Sequence, residues 1–204
     1  IAVIRVSGDR AFAVAEAVFR AKSGKPVRAL RARTAVFGDI CDPRTGEILD
    51  TGVCTLYAAP HSYTGEDTME LSCHGGTLIT VSVLSACFAA GAVQAGPGEF
   101  TKRAFLSGKL SLTEAEAVGL LIDADTEEKR RLSSSAVRGI TSQAIGRLDE
   151  RLFSVMTALY AAIDYPEEDV GDEGEREIRA VVADTLTGVE NLLATYKTGR
   201  AVTE

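Results

Sequence analysis

Three charged residues stand where a charge is either costly or put to use, namely Arg5 in the β-rich run IAVIRV, Glu70 in TMELSC and Lys109 in GKL. By the two-residue period of a strand, Ile1, Val3 and Arg5 share one face, and Ala2, Ile4 and Val6 share the other. The guanidinium is thus aligned with apolar neighbours, which is costly unless a carboxylate or an anionic ligand meets it. Three readings stay open for Arg5: an edge-strand arginine in water, a pair with Glu70, or an anion-binding group. In residues 68–73, Met69, Leu71 and Cys73 point one way while Thr68, Glu70 and Ser72 point the other, so Glu70 stands on a sheet face. Around it lie the turn Tyr63-Thr64-Gly65-Glu66-Asp67 and the pair Gly75-Gly76, polar segments of the kind that build sites on packed scaffolds. A solvated carboxylate is the plainer reading of Glu70. Lys109, where a loop passes into a helix, reads by itself as a surface lysine.

His74 follows Cys73, but neighbours on a strand face opposite ways, so the two do not form a nucleophile and base pair. Cys73 is expected in the core and His74 at a turn or site wall. Glu99, Thr101, Lys102 and Arg103 fall in a loop and short helix to which the sequence assigns no individual roles, and residues 63–67 suit a lid or a dimer contact.

The elements that must position these residues read as α+β. A strand over residues 1–6 is followed by a helix over 10–22, with Ser7-Gly8-Asp9 at its start. Residues 22–33 read as a solvated connector, and strands over 34–41 and 51–57 are joined by the turn Asp42-Pro43-Arg44-Thr45-Gly46. Residues 77–90 are apolar all round, which predicts a helix buried between the sheet and another layer. A short strand over 91–95 and the loop and helix of 97–110 complete a mixed-sheet domain. From Ser111 the pattern becomes helical: a first helix with Glu114 and Glu116 near its start, then one periodic segment over 126–164. An acidic loop from Pro166 to Glu175 leads to a helix over 177–197, whose buried side is expected to be Ile178, Val181, Val182, Leu186, Val189, Leu192, Leu193 and Tyr196. This long-helix bundle segment is incomplete. Its exposed seam needs a later part of the same polypeptide or a second copy.

The 204 residues carry a net charge of −7, with 46% hydrophobic residues. Their acidity argues against a direct grip on nucleic acid, where phosphate neutralisation dominates affinity. No apolar run reaches the roughly 20 residues of a membrane helix. Four cysteines without a CxxC pair read as reduced thiols rather than metal ligands or disulfides. The start at Ile1 and the unclosed end YKTGRAVTE read as a piece of a longer protein.

The ordered blocks IAVIRVSG, PHSYTGED, ELSCHGG, PGEFTKRAFLSGKLSLTEAEAV and AAIDYPEEDV carry a resemblance along the whole chain. Together they resemble the N-terminal part of the MnmE (TrmE) tRNA-modification GTPases. The resemblance implies a tetrahydrofolate-binding and dimerisation domain over residues 1–108 and the first part of a helical domain over 109–204. It implies that Arg5, Glu70 and Lys109 contact a tetrahydrofolate derivative, 5-formyl or 5,10-methylene. A carboxylate suits the 2-amino-pyrimidinone edge of a pterin, since its two oxygens accept from ring N–H and amine together. Lys109 would pair with the ligand's glutamate tail or polarise a ring oxygen.

The implied whole is a homodimer joined through N-terminal domains, working with the FAD-dependent partner MnmG to modify C5 of the tRNA wobble uridine. The tRNA would be held mainly by that partner, and the location is expected to be cytoplasmic. GTP, Mg and K are expected only in a GTPase domain, since these residues contain no GxxxxGK[ST] phosphate loop. Two alternatives remain: a stand-alone folate-dependent aminomethyltransferase-like protein, and a structural dimerisation scaffold.

Overall fold

The computed structural model describes residues 1–165 and 171–203, with side chains described for 1–165 and 174–194. Two compact units divide the chain, Ile1–Leu110 and Ser111–Glu204. The α+β first half and helical second half hold.

The first unit is built on a five-stranded sheet of β1 (Ala2–Ser7), β2 (Phe19–Ala21), β3 (Val36–Cys41), β4 (Ile48–Tyr57) and β5 (Thr68–Cys73), in the order β1-β5-β4-β3-β2. All four pairings are antiparallel. Strand parity sorts the side chains as expected: Ile4, Ile40, Cys54, Leu56, Met69, Leu71 and Cys73 face the core. Helices α1 (Ala11–Val18) and α2 (Thr77–Ala89) cover that face through Val14, Ala15, Val18, Val83, Ala86 and Cys87. The sheet's other face carries Arg5, Glu70 and Tyr57 beside α3 (Glu99–Leu106) and the loop of residues 58–67.

Several expectations change here. The helix expected over 10–22 stops at Val18, because Phe19 and Ala21 are buried in alternation and pair with β3 as a short strand. The connector that follows is not wholly solvated, since Val27, in a 3-10 turn (Val27–Ala29), is buried in the core. Helix α2 is not enclosed on both sides: Leu78 is 80% exposed and Val81 55% exposed, while Val83 is fully buried. Residues 91–95 form no strand.

The second unit holds α4 (Leu112–Ile122), α5 (Glu127–Val137), α6 (Ile140–Asp164) and α7 (Gly171–Thr203). Ser111 and Glu114 form a capping box: the Ser111 hydroxyl accepts from the Glu114 N–H, and the Glu114 carboxylate accepts from the Ser111 N–H at 2.6 Å. The segment expected as one helix over 126–164 is two. Gly139 breaks it at φ 74°, a left-handed conformation, with the Glu114 carboxylate where a Cβ would stand. The apolar stripe runs on through the break, so periodicity alone did not reveal it.

The loop expected from Pro166 lies outside the described residues as far as Val170, and from Gly171 the chain is helical. The buried seam of α7 also differs from the expected one. Thr185 is buried and Ile178, Val181, Gly188 and Leu192 are half-buried, whereas Val182, Leu186, Val189 and Leu193 are exposed. The side chain of Tyr196 lies outside the described ones.

All four thiols are buried. Burial pushes the Cys54 thiol up to about 12 and Cys87 up to about 11, each reinforced by a neighbouring cysteine. With raised values, thiolate is scarce at pH 8 and the sulfurs are shielded. In the native chain, Ellman's reagent at pH 8 is expected to react at less than about one-hundredth of the rate in denaturant, a stopped-flow measurement. Gly139→Ala should cost about 1–3 kcal/mol, read as a lower thermal midpoint by circular dichroism. An unchanged midpoint would show that the break is not held by this residue.

Candidate functional site

The register that pairs Ile4 with Leu71 in the core places Arg5 opposite Glu70 on the other face. Their side chains meet: Arg5 Nε donates to Glu70 Oε1 at 2.7 Å, and Arg5 Nη2 lies 2.6 Å from the same oxygen. The hydroxyl of Tyr57, on the neighbouring strand β4, donates to Glu70 Oε2 at 3.2 Å. The pair with Glu70, one of the open readings for Arg5, is formed. Two aromatic rings cover it, with the guanidinium carbon 5.4 Å from the Tyr63 ring centre and 5.6 Å from that of Phe100. Both distances fall within cation–π range.

Those rings come from two elements tied together by polar contacts. Tyr63 belongs to the loop of residues 58–67 and Phe100 to the first turn of α3, and the Tyr63 hydroxyl meets Thr101 Oγ1 at 2.9 Å. Beneath the loop, Thr64 and Thr68 are buried, and their hydroxyls cluster with Ser7 Oγ. Ser7 Oγ also donates to Glu66 Oε2 at 2.9 Å, and Ser107 Oγ donates to the Thr64 carbonyl. Gly65 turns the loop at φ 80°, where an added Cβ would sit 2.7 Å from Ser107 Oγ. An added side chain would force Ser107, which holds the Thr64 carbonyl, to shift.

Lys109 is not brought to the pair. Its Nζ donates to the Pro60 carbonyl at 3.2 Å, and its stem packs under Gly65, so it supports the loop that carries Tyr63. A cavity of about 770 Å³ runs along β1, and Arg5, Arg10, Phe100 and Arg103 line it together with Leu84 and Phe88. Glu70 and Lys109 lie outside that lining.

His74 stands at the exposed end of β5, as expected of a turn residue, and Cys73 is in the core. His74 is bound to Asp50, whose carboxylate accepts from the His74 N–H at 2.8 Å and meets Nδ1 at 2.8 Å. Burial pushes the Asp50 carboxyl up, but the hydrogen bonds from His74 and Thr51 outweigh it, leaving the group below its ordinary range. Among the described residues, no group of three or more His, Cys, Asp and Glu side chains could hold a metal ion. No described helix is long and apolar enough to cross a membrane.

Sequence reasoning missed Tyr57, Phe100 and Arg103 as members of this site. Tyr57 was within reach of strand parity, since its diagonal position to Glu70 follows once β4 and β5 pair. Phe100 and Arg103 arrive from 30 or more residues away; they lie in the block PGEFTKRAF, but neither parity nor periodicity gives them a role.

Replacing Gly65 by alanine should lower stability by about 1–3 kcal/mol, from left-handed strain and the contact with Ser107. Thermal denaturation checks it, and an unchanged midpoint would mean the loop is not seated on α3 as described.

Comparison with known proteins places this arrangement. Residues 1–109 match the family described as GTP-binding protein TrmE N-terminus, and residues 112–204 match the MnmE helical domain. The chain is 43% identical over 206 residues to the tRNA modification GTPase MnmE of Moorella thermoacetica, covering 100% of this chain and 44% of that protein. It is 43% identical over 204 residues to the one from Symbiobacterium thermophilum, covering 100% and 44%. It is 42% identical over 201 residues to one from Thermus thermophilus, covering 98% and 45%. The chain therefore spans less than half the length of these relatives. With both of its units matched in order and the likeness running from end to end, the chain belongs to the MnmE (TrmE) family, of which it carries the N-terminal and helical domains.

Proposed function

We propose that the N-terminal unit binds a tetrahydrofolate derivative, 5-formyl or 5,10-methylene, as the one-carbon donor for C5 modification of a tRNA wobble uridine. The observation that carries the reading is the Arg5 and Glu70 pair, set side by side on a sheet face under two aromatic rings. A folate needs a carboxylate for its pterin edge, flat apolar faces, and cations for its acidic tail. The residues present fit those needs. Glu70 spends one oxygen on Arg5 and the other on the Tyr57 hydroxyl, and a carboxylate has about four lone-pair directions, so it can accept further donors. Tyr63 and Phe100 supply the flat faces. Arg5 supplies a fixed positive charge, and Lys109, by holding the Pro60 carbonyl, keeps a second cation beside the loop.

When bound, the cofactor supplies the transferable carbon. The chain's own part is to hold and orient it. Within a longer protein this unit would pair with a second copy, and that assembly would work with GTP hydrolysis and an FAD-dependent partner that holds most of the tRNA. The relatives' shared name, tRNA modification GTPase, supports this context.

A second reading draws on the same pair. Arg5 and Glu70 satisfy each other, which is what a scaffold that binds nothing would also show. Calorimetric titration of 5-formyltetrahydrofolate into the chain and into Glu70→Ala separates the two. The folate reading expects binding by the parent, weakened at least about tenfold in the variant, a loss of about 1.4 kcal/mol. A folded parent that takes up no folate sinks that reading and leaves the scaffold.

A further inference from the structure

We propose that Arg103 is the positioning residue of the Arg5 site: its guanidinium clamps together the three elements that supply Arg5, Tyr63 and Phe100. This rests on the proposal that the Arg5 site binds a folate, and it goes further by naming what holds the site in shape.

Arg103 sends its donors in two directions. Nη1 lies 3.3 and 3.2 Å from the two carboxylate oxygens of Glu66, in the loop of residues 58–67. Nη2 and Nε reach Glu99 Oε1, one turn back on α3, at 2.7 and 3.1 Å. Each carboxylate is bound a second time. Glu66 Oε2 accepts from Ser7 Oγ, two residues along β1 from Arg5. Glu99 Oε2 accepts from the Gly96 N–H at 2.7 Å, closing the approach to α3. One side chain therefore links β1, the loop that carries Tyr63, and the helix that carries Phe100. Of these, β1 carries Arg5 itself, and the loop and helix carry the two rings over its guanidinium.

The geometry suits arginine better than lysine. A planar fork with five donors can serve two carboxylates in different directions, whereas a lysine ammonium on a flexible stem acts as a point charge. Arg103 and Glu66 are each about one-third exposed, so the pairing is screened, and its value lies in direction rather than in bulk stability. The shifts agree: Arg103 holds the Glu99 carboxyl below its ordinary range, and Glu99 and Glu66 raise the Arg103 value. Without Arg103, Glu66 would keep its bond from Ser7 and Glu99 its bond from Gly96, but the loop would lose its ion pair to the helix that carries Phe100.

The test uses the 204-residue chain, Arg103→Met and Arg103→Lys, with two readouts. The first needs no ligand: solvent exchange of the Arg5 Nε–H proton, followed by ¹⁵N NMR and slowed by its bond to Glu70 under the rings. In Arg103→Met it is expected to rise at least about tenfold as the cover opens, and in Arg103→Lys to rise less. The second is 5-formyltetrahydrofolate affinity in parent and Arg5→Met backgrounds. Arg103→Met should weaken binding about tenfold when Arg5 is present and less than about twofold when it is not, the non-additivity that a shared unit shows. A merely structural role would give equal loss in both backgrounds and an unmoved Arg5 proton, and either result overturns the proposal. If Arg103→Met does not fold, Glu66→Gln, which cuts the clamp at its other end, takes its place in both readouts with the same expected direction. If the parent binds no folate, the folate reading falls while the exchange measurement still decides whether Arg103 positions Arg5.

Discussion

The antiparallel register of β1 on β5 is the constraint on which the N-terminal unit depends. Because side chains alternate at every residue, one register seats Ile4 against Leu71 beneath α1 and α2 and Arg5 against Glu70 on the opposite face. A slip by one position would carry a guanidinium into the core and bring leucine and isoleucine out to solvent. The apolar pairs that stabilise the sheet thereby also fix the charged pair. No separate device is needed to bring Arg5 and Glu70 together, though they stand 65 positions apart along the chain.

What covers the pair is held differently. The loop of residues 58–67 contributes little to the apolar core and is fastened by directed bonds: Ser7 to Thr64 and Glu66, Ser107 to Thr64, Lys109 to Pro60, and Arg103 to Glu66. A hydrogen bond adds about 0.5–1.5 kcal/mol net, and more when an ion takes part, so several are needed to offset the ordering of a loop. The helical unit offers a contrast. Its ion pairs, such as Glu127 with Arg130 and Glu175 with Arg179, lie one turn apart on exposed surfaces and join nothing distant. Glu127 is held down to about 2 by its two arginines, yet water screens the pairs and they contribute little to the fold. The same two residue types thus fasten a site in one unit and decorate a surface in the other, because in the first their partners belong to different elements.

The core was legible wherever a local period governs. Alternation in TMELSC placed Met69, Leu71 and Cys73 inside and Glu70 on the far face, and the acidic start after Ser111 marked a helix terminus that proved to be a capping box. The failures came where tertiary contacts overrode a local pattern. Phe19 and Ala21 continue a helical spacing, but pairing with β3 extends them. Leu78 and Val81 look like core residues, but helix α2 has only one covered side. Gly139 interrupts a stripe that no apolar count would interrupt. For the site, type and parity located Arg5 and Glu70 but could not locate Arg103, whose partner Glu66 lies 37 residues away and whose role is a matter of angle rather than composition.

The strand order has a consequence for how the sheet meets other chains. Of its two open margins, β2 is only three residues long, too short a ladder to recruit another strand. The other margin is β1, six residues long, with a single charged side chain and with Val3 largely exposed. Hydrogen-bonding capacity toward foreign backbone is therefore concentrated on one side. The longer margin is thus the strand that carries Arg5, so a change that blunts this edge must leave Arg5 where it is.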